Sequence, residues 1–268
     1  AFVNRYATGS NTYDTVEVPL KKIIDGREWL DSDSFTFKIE AATADAPMPK
    51  DATGDEVTEV EVTKANKDGF SFGTITYTFD DVKNEADNTK TFTYKVTEQD
   101  GDIAGMTYDV DKVVYLDITV SDNGNGTLSA VGVVRGGNNT FTNKYDSGLD
   151  YTAAGGLRLS KTLTGHAMAD GQFTFTVTPD DKDSADKLGL EEGANEFKSP
   201  AAADGETAFV SVTAADGVKF TQADAGKKYV YTVSEKNDGA AGYTYDAAEY
   251  TVTIETVDDP AAAKLTVT

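Results

Sequence analysis

The second half of this 268-residue chain repeats the first. A repeat of that length constrains the fold more than any single motif, because each copy has to bury a core of its own. Val16-Glu17-Val18-Pro19-Leu20-Lys21-Lys22, followed by Asp25-Gly26, corresponds to Leu157-Arg158-Leu159-Ser160-Lys161, followed by Thr164-Gly165. Asp33-Ser34-Phe35-Thr36-Phe37-Lys38-Ile39 mirrors Gly171-Gln172-Phe173-Thr174-Phe175-Thr176-Val177, and both alternate apolar and polar residues as a half-buried strand does. Thr91-Phe92-Thr93-Tyr94-Lys95-Val96-Thr97-Glu98 matches Lys228-Tyr229-Val230-Tyr231-Thr232-Val233-Ser234-Glu235, and Tyr108-Asp109 matches Tyr245-Asp246 further on. The 13 Tyr, 13 Phe and 24 Gly, with only 3 Met, agree with strands and tight turns. The expected fold is all-β, in two tandem modules.

The first copy continues through the turn Asp122-Asn123-Gly124-Asn125-Gly126 to Phe141-Thr142-Asn143-Lys144-Tyr145, and Ser147 to Gly156 reads as a short linker. The second copy shows no counterpart of that closing strand. Phe2-Val3-Asn4-Arg5-Tyr6 carries its pattern instead, and Asn4 lies 139 positions before Asn143, as Lys22 does before Lys161. The expected division is therefore a closing strand of a preceding or neighbouring module in residues 1–10, one module over 11–150, and a second over 151–268 that lacks its final strand.

Strand parity determines which side chains share a face. Val18, Leu20 and Lys22 share one, as do Leu157, Leu159 and Lys161. Glu98 continues the face of Phe92, Tyr94 and Val96, Glu235 that of Tyr229, Tyr231 and Val233, and Asn143 lies between Phe141 and Tyr145. A Lys, a Glu and an Asn thus point inward, although the ordinary place for each is a solvated surface. Burying an ammonium and a carboxylate costs several kcal/mol each. Desolvation favours the neutral amine and the protonated acid, so Lys22 becomes a nucleophile while Glu98 polarises the Asn143 amide. Attack expels ammonia and leaves a neutral secondary amide. Lys21 faces the other way and is the alternative nucleophile.

Leu20-Lys21-Lys22 with Asp25-Gly26-Arg27-Glu28-Trp29, Asp33 to Phe37, Tyr94 to Glu98 and Phe141 to Tyr145 together resemble the streptococcal pilin isopeptide-linkage domain, a relative of the collagen-adhesin B-type fold. The resemblance implies immunoglobulin-like β-sandwich modules. It also implies that the first-strand Lys joins the last-strand Asn with the Glu as catalyst, which carries over to Lys22, Glu98 and Asn143, and to Lys161 and Glu235. Only Asn4 is on offer as the second Asn. The implied function is a structural stalk or pilin shaft on a Gram-positive cell surface, a protein that crosslinks itself once and does not turn over an outside substrate. Its partners would be neighbouring modules or subunits, with Phe2 to Tyr6 as a strand one molecule could donate to another. A ligand-binding adhesin that recognises through Ala41 to Gly69 and Asp180 to Gly205, or an accessory module of a secreted enzyme, are the alternatives.

Other signals are weak. The 46 acidic against 24 basic residues, a formal charge of -22, argue against nucleic acid and anionic membranes as partners. No Cys is present, so an extracellular module would need a staple other than a disulfide. No 18-residue apolar run or basic-then-apolar leader occurs, so neither a membrane span nor a signal peptide is expected in this segment. No cofactor is expected. His166 is the sole histidine and reads as a loop residue, Asp180 to Asp183 lacks the Gly and Glu of a calcium loop and reads as an acidic exposed loop, and Trp29 reads as a lid on its own core. No metal site is expected.

Overall fold

Alternating apolar residues build the first core. Phe35, Phe37 and Ile39 on one strand, Phe92, Tyr94 and Val96 on a second, and Val114, Leu116, Ile118 and Val120 on a third are all buried, while their sequence neighbours are more exposed. A computed structural model describes residues 2–212 and 217–268. It divides the chain into two units, Ala1–Tyr145 and Asp146–Thr268.

The first unit contains β1 (Asn11–Asp14), β2 (Lys21–Asp25), β3 (Ser34–Ala41), β4 (Glu59–Thr63), β5 (Thr74–Tyr77), β6 (Thr89–Glu98), β7 (Met106–Thr107), β8 (Val113–Asp122), β9 (Leu128–Val134) and β10 (Thr140–Tyr145). One sheet runs β4-β3-β6-β8-β9, another β2-β10-β7, and β1 pairs with β5. Aromatic rings fill the space between the sheets, with Phe37 at 4.5 Å from Phe70 and 4.9 Å from Phe141, and Tyr77 stacked on Phe92 at 5.0 Å. Each such side chain contributes roughly 1.5–3 kcal/mol by leaving water. The expected turn at Asp122 to Gly126 joins β8 to β9, with the Asp122 carboxylate accepting from Gly124 N at 2.9 Å.

The most distant elements of this unit are neighbours. β10 pairs in parallel with β2, setting Phe141 opposite Lys22 and Asn143 opposite Ile24. Gly26 lies where this pairing ends. Its φ is +106°, and a Cβ there would come within 2.3 Å of the Tyr145 carbonyl oxygen, so only glycine allows the approach.

The second unit contains β11 (Gly148–Asp150), β12 (Leu157–Thr162), β13 (Thr174–Pro179), α1 (Lys182–Leu188), β14 (Asn195–Lys198), β15 (Thr207–Val212), β16 (Lys219–Thr221), β17 (Lys228–Glu235), β18 (Glu249–Asp259) and β19 (Lys264–Val267). Its large sheet runs β14-β13-β17-β18-β19-β11-β16, and β12 pairs with β15. Val177, Tyr229, Tyr231, Val233, Ile254 and Leu265 form its core.

Two local readings are corrected. Gly148–Asp150, expected as linker, is a strand of the second unit, because Leu149 packs against that unit's core and Tyr151 meets Phe220 edge-on at 5.3 Å. The acidic run after Asp180 starts a helix. Asp181 is its N-cap, accepting from Ser184 N at 2.7 Å, and Gly189 ends it in the left-handed conformation at φ +66°. Residues 2–10 precede β1 outside any strand.

Candidate functional site

Lys22 is the third member of the buried face that begins with Val18 and Leu20. Its residue is 1% exposed, Glu98 2% and Asn143 0%. Alternation places Lys22 there from β2, Glu98 from the end of β6 and Asn143 from β10, and the parallel pairing of β2 with β10 brings amine and amide to the same carboxylate. Lys22 Nζ donates to Glu98 Oε2 at 2.8 Å, and Asn143 Nδ2 donates to Glu98 Oε1 at 2.7 Å. The Phe35 and Phe37 ring centroids lie 5.0 and 5.8 Å from Nζ. Lys21, on the opposite face, is exposed.

Burial dominates the electrostatics. It pulls the Lys22 amine down to about 8, against the opposing pull of the Glu98 carboxylate, and it pushes the Glu98 carboxyl above its ordinary range although Lys22 and Asn143 both donate to it. Both shifts favour the neutral pair, a free amine beside a protonated acid.

Asp109, a residue that sequence reasoning missed, completes the pocket. Its backbone N–H donates to Asn143 Oδ1 at 2.8 Å, and its Oδ2 accepts from Thr142 N at 3.0 Å. The amide carbonyl is thus held at the atom where negative charge develops when the adjacent carbon is attacked. The signal was in the sequence, as the repeated Tyr108-Asp109 and Tyr245-Asp246 pairs.

In the second unit Lys161 Nζ and Glu235 Oε1 are 2.6 Å apart, with side chains 14% and 4% exposed, and the Phe173 ring centroid is 4.3 Å from Nζ. Asp246 N, the counterpart of Asp109 N, donates to Glu235 Oε2 at 3.0 Å. A groove of about 480 Å³ lies beside this pair, with Leu159, Phe175, Val233 and Tyr250 in its walls. Asn4 is exposed, in the segment preceding β1. The structure thus assembles Lys22, Glu98 and Asn143 as a complete set, and Lys161 with Glu235 as a set without an amide.

His166 is exposed in a loop, and Trp29 is buried edge-on against Phe35 at 5.2 Å. Among the described residues no group of His, Cys, Asp and Glu could hold a metal ion, and no helix is long and apolar enough to cross a membrane.

The family model of the Spy0128-like isopeptide containing domain, FctA, matches residues 18–146 and again 157–268. Among solved structures, the chain is similar to the major pilin protein T3.2 of Streptococcus pyogenes serotype GAS13637, at 19% identity over 96% of this chain and 98% of that one, with a TM-score of 0.31. It is also similar to the major pilin protein T-13 of Streptococcus pyogenes serotype GAS131465, at 21% identity over 97% and 98%, with a TM-score of 0.30. No curated protein matches it.

Proposed function

This chain belongs to the FctA family of Spy0128-like isopeptide containing domains, and from that premise we propose that it is a stretch of a Gram-positive pilin shaft whose modules lock themselves with Lys–Asn isopeptide bonds. One observation carries the reading: a single buried carboxylate holds a buried amine on one oxygen and a buried carboxamide on the other.

In the proposed chemistry the neutral Lys22 amine attacks Asn143 Cγ. The Asp109 N–H stabilises the oxyanion, and protonated Glu98 gives its proton to the departing nitrogen and takes one from the attacking amine. A carbon–nitrogen bond forms to Lys22, the original amide bond breaks, and ammonia leaves. The amine and amide are consumed, so the reaction runs once per module. The same roles fall to Lys161 and Glu235, with Asn4 as their amide. On this reading residues 11–150 and 151–268 are the two shaft modules, residues 1–10 supply a closing strand, and the protein works outside the cell at the wall, with other subunits of the fibre as partners.

The test is intact mass. The folded protein is expected to weigh less than its sequence by one ammonia for the Lys22–Asn143 bond, and a tryptic fragment joining the two residues should be recovered. A full-length mass from folded protein overturns the mechanism.

A further inference from the structure

Away from the lysine pockets, another carboxylate holds a nucleophile and an amide. Ser147, two residues beyond the end of β10, is 3% exposed and immediately precedes β11. The antiparallel pairing that sets Gly148 opposite Thr221 brings Ser147 to Gln222, the residue after β16, and Asp258 of β18 completes the cluster. Ser147 Oγ donates to Asp258 Oδ1 at 2.9 Å, and Gln222 Nε2 donates to Asp258 Oδ2 at 3.1 Å. Ser147 Oγ is also in close contact with Gln222 Oε1. A hydroxyl on one carboxylate oxygen and a carboxamide on the other repeat the plan of Lys22 and Asn143 around Glu98, with an oxygen nucleophile in place of an amine.

The Ser147 hydroxyl has one proton and two oxygens facing it. The carboxylate is the stronger acceptor, so the proton lies toward Asp258 and an Oγ lone pair faces the carboxamide. Gln222 Cδ is one carbonyl bond, about 1.2 Å, from the oxygen that Oγ touches.

The first unit shows the same place without that chemistry. Its short helical turn Phe79–Asp81, closed like Gln222–Asp224 by a capping box of Thr and Asp, has Phe79 where Gln222 stands. Asp122 stands where Asp258 does, each four residues past an Ile that lies opposite the matching aromatic, Phe92 or Tyr229. There the Tyr6 hydroxyl donates to Asp122 at 2.8 Å and the Tyr6 ring meets Phe79 edge-on at 5.5 Å. A hydroxyl on an acid recurs in both units, and the second has a carboxamide where the first has a ring.

We propose that Ser147 and Gln222 become joined by an ester. Ser147 Oγ attacks Gln222 Cδ as Asp258 takes the hydroxyl proton. Asp258 then gives that proton to the amide nitrogen, the carbon–nitrogen bond breaks and ammonia leaves. A carbon–oxygen bond replaces it, and the carboxylate ends as it began. The inference goes beyond the isopeptide reading and does not depend on it. Its consequence is mechanical, because tension arriving along the chain from β10 reaches the second unit at Ser147. The ester carries it to Gln222 and bypasses residues 148–221, so β11 is not peeled from β16 and β19.

The experiment compares the full chain with Ser147→Ala, which has no nucleophile, and Asp258→Asn, which keeps the shape of the cluster without its base. Relative to its own sequence, the full chain is expected to be lighter than either variant by one further ammonia. Trypsin should release residues 145–158 joined to residues 220–227. Alkaline hydroxylamine should split that joined peptide and leave a hydroxamate at position 222, a reaction that a Lys–Asn amide resists. Equal deficits in the full chain and Ser147→Ala, with the two peptides recovered apart, overturn the ester. They leave the isopeptide reading intact, since the Lys22–Asn143 bond is read from its own joined peptide. A joined peptide that withstands hydroxylamine, or persists in Ser147→Ala, also overturns the ester by placing the bond on other groups. Full linkage in Asp258→Asn overturns the proton path through Asp258.

Discussion

Glu98 holds both reactants, so its variants separate catalysis from architecture. Glu98→Gln keeps the shape and a hydrogen-bonding group but cannot relay a proton, and is expected to fold and retain the full mass. Glu98→Ala also stays unlinked, and stranding Lys22 without its partner should lower stability by about 3–5 kcal/mol, seen as a fall in Tm relative to Glu98→Gln. The reactive form of the pair carries one proton, on the acid. When acid-unfolded, unreacted chain is refolded across a pH series, ammonia loss should follow a bell. It falls on the acid side, where Glu98 is protonated and Lys22 is ammonium as well, and again above about 8, the value to which burial pulls Lys22, as the coupled pair gives up its last proton. A rate that climbs steadily through pH 10 would remove Glu98 from the proton path. Lys22, Glu98 and Asn143 were legible in the sequence because strand parity places polar residues inward as surely as apolar ones. The Asp109 N–H was harder to find, since a backbone donor acts through loop geometry and its one mark in the sequence is the repeated Tyr-Asp pair.

At the scale of elements, the decisive feature is β10 lying parallel to β2. Joining them closes a loop of about 120 residues, and on the chain-entropy model that stabilises the unit by roughly 5 kcal/mol. Asn143→Ala should lose that contribution together with the buried amide contacts, and its first unit should unfold at a denaturant concentration well below that of the linked protein. Equal midpoints would show that the link adds no stability. Alternation made β3, β6, β13 and β17 readable. The short strand β11 was not, because Ser147-Gly148-Leu149-Asp150 has turn composition and becomes a strand only through pairing with β16 and β19, contacts remote in sequence. The helix α1 was obscured by an acidic run whose purpose is local, an Asp N-cap on a two-turn helix.

For the whole molecule, the expected mechanical behaviour follows from where the crosslink sits. Tension entering near β2 and leaving after β10 crosses the Lys22–Asn143 bond and bypasses the strands between them. In single-molecule pulling, the first unit of the linked protein should not extend between these residues, whereas Lys22→Ala should release about 400 Å at a maximum of ~3.6 Å per residue. A long extension from the linked protein would show that the bond does not carry the tension. The pairing of first strand with last has a further consequence in time. Contacts so remote in sequence slow folding, because a long loop must close before they form. Once linked, a stretched or denatured unit is a ring instead of an open chain. Its slowest search is over for good, so a linked unit that has folded once should refold faster every time afterwards, a covalent memory of its first folding.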